Sequence, residues 1–178
     1  MNARQTANAI SPLSNEDARF MDAALQFGRR HMGMAAPNPS VGAIVVREAG
    51  TEPVVIARGV TAKGGRPHAE TEALKAAGGA ARGATVYVTL EPCAHQSKTP
   101  PCAGELIKAQ VDRVVIAIED PNPLVSGNGI RMLRDAGIEP EGLVGVVAGT
   151  EPAGPRYEHA VGIAVAALSC ACLDQLYA

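Results

Sequence analysis

The feature that most constrains the fold is a strand pattern broken by a ligand-bearing turn. Thr85-Val86-Tyr87-Val88-Thr89-Leu90 is rich in β-branched and aromatic side chains and reads as a buried strand that stops at Glu91-Pro92-Cys93. Strand and helix patterns alternate around it. Ser14-Asn15-Glu16-Asp17 offers a capped start to a helix running to about His31, with apolar Phe20, Met21, Ala24, Leu25 and Phe27 on one face. Val41 to Val46 and Val54 to Arg58 read as a hairpin across a Gly-containing turn over 48–52. A helix is predicted from His68 to Ala77, with Pro67 in its first turn and Gly78-Gly79 as its stop. A short helix from Cys102 to Ala109, a strand from Arg113 to Ile118, a helix from Gly129 to Ala136 and a weaker strand from Gly142 to Val147 complete the pattern. This order predicts an α/β chain, a three-layer α/β/α sandwich around a mixed central β-sheet. In such sheets ligands bind past the carboxyl ends of the strands. Cys93 and the turn Asp120-Pro121-Asn122-Pro123 both fall there.

Composition narrows the partners. The chain has 178 residues, with 47% hydrophobic and 19% charged, which suits one globular domain with an appendage. With 16 Lys+Arg against 18 Asp+Glu it lacks the basic excess of a nucleic-acid binder, and 3% aromatic residues without Trp supply no base-stacking platform. No nucleic-acid partner is expected, and a small polar ligand remains. Met1 to Asn15 is polar and reads as a loose lead-in over 1–14, without the apolar core of a secretory signal. Ala160 to Leu173 is an uncharged, mostly apolar run of 14 residues. That is short of the ~20 a bilayer needs, so a buried or partner-covered helix in a tail over 151–178 is expected, with no membrane span.

The cysteines are Cys93, Cys102, Cys170 and Cys172. A chain of this size needs no disulfide scaffold, so a cytoplasmic protein with free thiols is expected. Cys170-Ala171-Cys172 has no His or acidic ligand near it in a metal pattern and reads as small residues packed in a helix. His31 and His159 read as surface or helix-end histidines, and Gly127-Asn128-Gly129 as a turn before a helix, lacking the third glycine of a dinucleotide loop.

His68, Cys93 and Cys102 are the candidate metal ligands. Each follows a proline and falls near a predicted helix start, where thiolate is favoured. One imidazole and two thiolates match a catalytic Zn2+, which takes three protein ligands and keeps one position open for water. Glu70, two residues after His68, is the candidate proton shuttle: a carboxylate there can take the water's proton and return it to a substrate nitrogen and a leaving amine. His-x-Glu followed by Pro-Cys and a second Cys is the zinc deaminase signature. A closed structural site would supply a fourth ligand, which this pattern lacks.

Nucleoside and nucleic-acid deaminases usually space the cysteines as Cys-x-x-Cys. Here eight residues separate Cys93 from Cys102. That loop and its flanks closely resemble the deaminase domain of the bacterial bifunctional riboflavin-biosynthesis deaminase/reductase, of the cytidine-deaminase-like superfamily. The resemblance covers about Ala18 to Val147, through Pro37-Asn38-Pro39-Ser40-Val41-Gly42, Pro67-His68-Ala69-Glu70, Gly83 to Cys93, Thr99-Pro100-Pro101-Cys102, Asp120-Pro121-Asn122-Pro123, Gly127-Asn128-Gly129-Ile130 and Ala136-Gly137-Ile138. It implies a cytidine-deaminase-like fold over 15–150 and hydrolytic deamination of a diaminohydroxy-phosphoribosylaminopyrimidine. It implies zinc on His68, Cys93 and Cys102, proton transfer by Glu70, and a homo-oligomer. It further implies substrate contacts from Asn38 to the pyrimidine, from His95 and Lys98 in the inter-cysteine loop, and from Asp120 and Asn122 at the ribose and phosphate end. On the residues alone, Asn38 either reads the ring or shapes the Pro-Asn-Pro turn, Asp120-Pro121-Asn122 either lines the site or forms an Asx turn, and Lys98 either meets phosphate or is solvated.

Two departures touch the phosphate end. The family usually carries a phosphate-binding His seven residues before the ligand His, where this chain has Thr61, and a glycine where it has Ser97. Thr61 itself, Lys63 or Arg66 are the candidate replacements. The family's common form also continues into a reductase, so the expectation is a stand-alone or truncated deaminase with no reductase domain. Two alternatives stay open: deamination of a riboflavin-like or pteridine-like precursor in a specialised-metabolite pathway, and a non-catalytic zinc-stabilised assembly subunit.

Overall fold

The computed structural model describes residues 14–50, 52–96 and 100–141. The predicted lead-in, the strand over 142–147, the apolar tail with Cys170 and Cys172, His159 and Lys98 lie outside the described residues. Helix α1 is Asn15–Gly28, followed by a 3-10 turn over Arg29–His31. Strands β1 (Gly42–Ala49) and β2 (Glu52–Val60) form the hairpin. Then come α2 (Ala69–Ala77), β3 (Thr85–Val88), α3 (Cys102–Lys108), β4 (Arg113–Ile116) and α4 (Asn128–Asp135).

The start of α1 is set by its sequence. The Ser14 hydroxyl accepts from the Asp17 N–H at 3.0 Å, and the Asp17 carboxylate accepts from the Ser14 N–H at 3.2 Å, a reciprocal capping box. Asp17 also reaches across the fold, accepting from Tyr87 Oη at 2.7 Å and Arg113 Nη1 at 2.6 Å.

The sheet is mixed, in the order β2-β1-β3-β4. β1 runs antiparallel to both β2 and β3, and β3 pairs in parallel with β4 from Thr85 opposite Arg113 to Val88 opposite Ile116. Glu141 makes a parallel bridge to Val115, on the far side of β4 from β3. The parallel pair forces the chain between β3 and β4 to cross over, and that crossover carries Cys93, Cys102 and α3.

Two glycines fix the layers. A Cβ on Gly42 would stand 2.0 Å from the Ala24 carbonyl oxygen of α1, and one on Gly59 would stand 2.0 Å from the Ala69 carbonyl oxygen of α2. Gly59 pairs with Ala43, the neighbour of Gly42, so the two glycines face opposite sides of the sheet. Helix α1 therefore covers one face and α2 the other, with α3 against α2 and α4 against α3. The sandwich is the predicted one. Val45, Val86, Val88, Val114, Val115, Ile116, Leu106 and Leu133 are fully buried between its layers. Each such side chain contributes roughly 1.5–3 kcal/mol of hydrophobic burial.

Sequence and structure differ in detail. The hairpin strands reach closer to the turn than predicted, because the β1–β2 ladder continues to Ala49 opposite Glu52 beyond a bulge at Val45/Val46. Pro67 is not in α2. His68 is the N-cap, extended at ψ 160°, and the Pro67 carbonyl accepts from the Ala62 N–H at 3.0 Å. The Ala36-Pro37 and Arg66-Pro67 peptides are both cis. No helix among the described residues is long and apolar enough to cross a membrane.

Candidate metal and catalytic centre

His68, Cys93 and Cys102 come from three places in the chain and converge at the carboxyl end of β3. His68 is the N-cap of α2, Cys93 lies five residues past β3, and Cys102 opens α3. Their ligating atoms all lie within 4.8 Å of one another. His68 Nδ1 is 3.3 Å from Cys102 Sγ and 3.7 Å from Cys93 Sγ. A tetrahedral zinc with ordinary Zn–S and Zn–N bonds sets that edge at about 3.5 Å. The donor set and spacing fit Zn2+, with a fourth position left to a non-protein ligand.

The surroundings orient the ligands. Asn38 Nδ2 donates to the Gly65 carbonyl at 2.8 Å and lies 3.3 Å from His68 Nε2, the ring nitrogen not turned to the sulfurs. Such outer partners hold a ligand imidazole in place. The Cys102 N–H donates to Cys93 Sγ at 3.3 Å, and the Ala103 N–H to the Cys93 carbonyl at 3.1 Å. Thr71, one turn into α2, hydrogen-bonds the Cys102 sulfur.

Electrostatics follow from this crowding. The hydrogen bond with Cys102 and the bonds with His68 and the Cys102 N–H lower the Cys93 thiol to about 4 against burial. The same bond with Cys93, with burial and the nearby Glu70 charge, pushes the Cys102 thiol far up. Without metal the pair therefore shares one proton, which zinc displaces on binding. Hydrogen bonding to Cys93 and the Glu70 charge raise His68 against burial. Glu70, 4% exposed at the second residue of α2, is pushed up to about 7 by burial, against the pull of its own backbone N–H, His68 and the Cys102 thiol.

The other predicted residues fall differently. Asp120 is half-buried, and burial together with Glu91 and Cys93 raises its carboxyl while His95 opposes. Its Oδ1 accepts from the Asn122 N–H at 2.9 Å, and Asn122 Oδ1 accepts from the Leu124 N–H at 3.0 Å. Both side chains thus form Asx turns, and Asp120 alone of the two interacts with a ligand cysteine. His95 is exposed. Thr61 is not brought to the site's surface: it is 1% exposed and its hydroxyl accepts from the Val41 N–H at 2.9 Å. His31 Nδ1 stands 2.7 Å from the Thr61 carbonyl, a structural tie as expected of a helix-end histidine. The sequence reading missed Thr71, whose only signal is its place one residue after Glu70, and Glu91, whose signal is a carboxylate between a strand end and a ligand turn.

A comparison with known families meets this geometry at residues 14–118, which match the cytidine and deoxycytidylate deaminase zinc-binding region. The chain belongs to this family. Similar proteins include the riboflavin biosynthesis protein RibD of Aquifex aeolicus, 49% identical over 69% of this chain and 33% of that protein, and RibD of Escherichia coli, 44% identical over 70% and 33%. The chain spans about a third of the length of these relatives. Among solved structures, Acinetobacter baumannii RibD form 1 superposes with a TM-score of 0.72 at 40% identity, covering 89% of this chain and 40% of that one. A diaminohydroxyphosphoribosylaminopyrimidine deaminase/5-amino-6-(5-phosphoribosylamino)uracil reductase from Thermotoga maritima gives 0.67 at 38% identity, covering 83% and 38%. Membership of a zinc-binding deaminase family agrees with the donor set read from His68, Cys93 and Cys102.

Proposed function

We propose that the deaminase unit over 15–150 hydrolytically deaminates a diaminohydroxy-phosphoribosylaminopyrimidine to its oxo-pyrimidine, releasing ammonia, as the domain of a riboflavin-type pathway. The observation that carries the reading is the buried Glu70 carboxyl beside a three-ligand His/Cys/Cys cluster. When bound by His68, Cys93 and Cys102, zinc supplies a Lewis acid that lowers the pKa of water towards ~7.

Glu70 does the proton work. With its pKa brought near neutrality by burial, its carboxylate takes the proton of the attacking water and delivers it to the ring nitrogen next to the amino-bearing carbon. A second proton returned through Glu70 converts the amino group to ammonia as the carbon–nitrogen bond breaks and the ring carbonyl forms. Asn38, held by Gly65, presents its amide to the pyrimidine edge. Asp120 and Asn122, together with His95 and Lys98, receive the ribose and phosphate end. The unit acts in the cytoplasm, whose reducing poise keeps both ligand thiols free, and as a homo-oligomer, which light scattering tests.

The deciding experiment is ammonia release from the phosphorylated diaminopyrimidine by wild type beside Glu70→Ala, with zinc quantified in both. Release lost in the mutant with zinc retained is the expected result, and no release from zinc-replete wild type overturns the assignment. One observation favours a second reading, a dephosphorylated riboflavin-like or pteridine-like substrate. Thr61 spends its side chain on Val41 and offers a substrate phosphate nothing from that position. Turnover of the dephosphorylated compound above the phosphorylated one selects it.

A further inference from the structure

Glu91 is the residue the proposed chemistry leaves unused, and its buried carboxylate is held by backbone N–H groups of a segment distant in sequence. It is 5% exposed, too deep for solvent to meet its charge. Its charge is met by four backbone N–H groups instead. Oε2 accepts from Asp120 at 3.1 Å and Gly127 at 2.9 Å, and Oε1 accepts from Gly129 at 2.8 Å and Ile130 at 3.3 Å. Burying a carboxylate is costly unless such bonds satisfy it, so the arrangement is specific to this loop.

The four donors define one segment. Gly127 is the N-cap of α4 and has no side chain to cap it, so Glu91 serves as the cap from outside for the second and third residues of that helix. Gly129 lies so close that an added Cβ would stand 1.9 Å from the Pro92 carbonyl oxygen. The first turn of α4 therefore rests directly on the residue before Cys93. At the other end of the segment, Glu91 holds the N–H of Asp120, whose carboxyl feels both Cys93 and His95. The Asx turns of Asp120 and Asn122 shape the loop internally, whereas Glu91 is what ties it to the metal-bearing turn.

We infer that Glu91 is a positioning residue that clamps the 119–130 loop against the Pro92-Cys93 turn, setting the distance between the metal centre and the side chains that meet the non-reacting end of the substrate. This rests on the proposed function for the substrate, but the clamp itself does not. A residue acting this way governs substrate binding more than the chemical step, because Glu70 and the ligands stay in place without it.

The test is Glu91→Gln, nearly isosteric, which turns an acceptor oxygen into an amide NH2 donor facing backbone N–H donors. In zinc-loaded protein, steady-state kinetics are read together with hydrogen exchange across 119–130. The expected result is KM raised about tenfold or more, kcat changed less than threefold, zinc content unchanged, and exchange at Asp120, Gly127 and Gly129 accelerated about tenfold while β3 and β4 keep their protection. Glu91→Asp, which keeps the charge on a shorter arm, should fall between the two and serves alone if Glu91→Gln does not fold. Accelerated exchange with unchanged KM overturns the positioning role and leaves a helix cap, and unchanged exchange overturns the clamp. A wild type that releases no ammonia sinks the proposed function instead. Exchange then decides the clamp by itself, faster exchange in the variant upholding it and equal rates overturning it.

Discussion

The backbone N–H of Cys102 donates to the sulfur of Cys93, so one ligand is seated on the first turn of the helix that carries the other. The eight residues between them in sequence therefore close a loop whose two ends are in contact. This asymmetry, with Cys93 held as thiolate and Cys102 as thiol, is a property of the metal-free fold and can be measured there.

Stripping zinc should leave two cysteines of unequal reactivity. Cys93 is lowered to about 4 by its hydrogen bonds with Cys102 and His68, whereas Cys102 is buried and keeps its proton. Alkylation followed by peptide mass spectrometry should label Cys93 at least tenfold faster at pH 6–7, since thiolate is the nucleophile. Zinc should protect both and raise the melting temperature, as any ligand binding only the folded state does. Equal labelling rates would contradict the hydrogen-bond arrangement.

Replacing Glu70 with Gln should lower kcat by ~10²–10⁴, the usual contribution of a positioned acid–base group, with zinc retained. The same variant should change stability in a pH-dependent way in the metal-free protein. Burial raises the folded Glu70 pKa to about 7 from 4.5, so the folded state holds its proton where the unfolded chain has lost it. Wild-type stability therefore falls relative to Glu70→Gln as pH rises from about 4.5 to 7 and levels off above. Melting curves of both chelated proteins across that window check it, and parallel curves would rule out the buried carboxyl as the cause.

Much of this centre was legible because its information is local. His68 and Glu70 are two residues apart at a helix start, and Cys93 and Cys102 each follow a proline at an element boundary, so residue type, spacing and secondary-structure pattern coincide. The capping box of Ser14 and Asp17 is local in the same sense. What was not legible depends on contacts between distant segments. Nothing near Asp17 in sequence announces Arg113, 96 residues on, and nothing near Glu91 announces the amides of Gly127 and Gly129. The inward turn of Thr61 depends on Val41 in the neighbouring segment. Pro67 was drawn into α2 by a general preference for Pro at helix starts, while the Ala62–Pro67 hydrogen bond holds it in the preceding loop.

Gly59→Ala should disturb the centre from the opposite side of α2. The new Cβ would sit 2.0 Å from the Ala69 carbonyl oxygen and 2.6 Å from the Ala73 nitrogen, both backbone atoms that cannot swing away. Helix α2 must lift from the sheet, carrying His68 and Glu70 with it. Overpacking of this kind costs ~1–3 kcal/mol, and the displaced His68 should also weaken zinc. The expected result is a lowered melting temperature together with a reduced zinc affinity by competition with a chromogenic chelator. Gly79→Ala, just past the end of α2, is the control whose zinc affinity should stay unchanged, because its φ is not positive and its Cβ would meet nothing within 4 Å.

Asp17→Asn should test how far the fold depends on the junction between α1, β3 and β4. The Asp17 carboxylate is opposed by burial, but hydrogen bonds from Arg113, Ser14 and Tyr87 outweigh that and hold its pKa well below the usual carboxylate range. Arg113 also bonds Glu141 and keeps 28% of its side chain exposed, so it is not stranded when Asp17 is neutralised. The loss is therefore expected at about 3 kcal/mol, the low end of the range for breaking a buried pair. The sign of its pH dependence follows from the depressed pKa. The contribution is complete above the unfolded value of about 3.9 and is lost as pH falls below it towards the folded value. The gap in melting temperature between wild type and Asp17→Asn should stay level from pH 7 to pH 5 and close progressively below about pH 4. A gap that persists unchanged into acid would mean that shape, and not the charge on Asp17, holds the junction together.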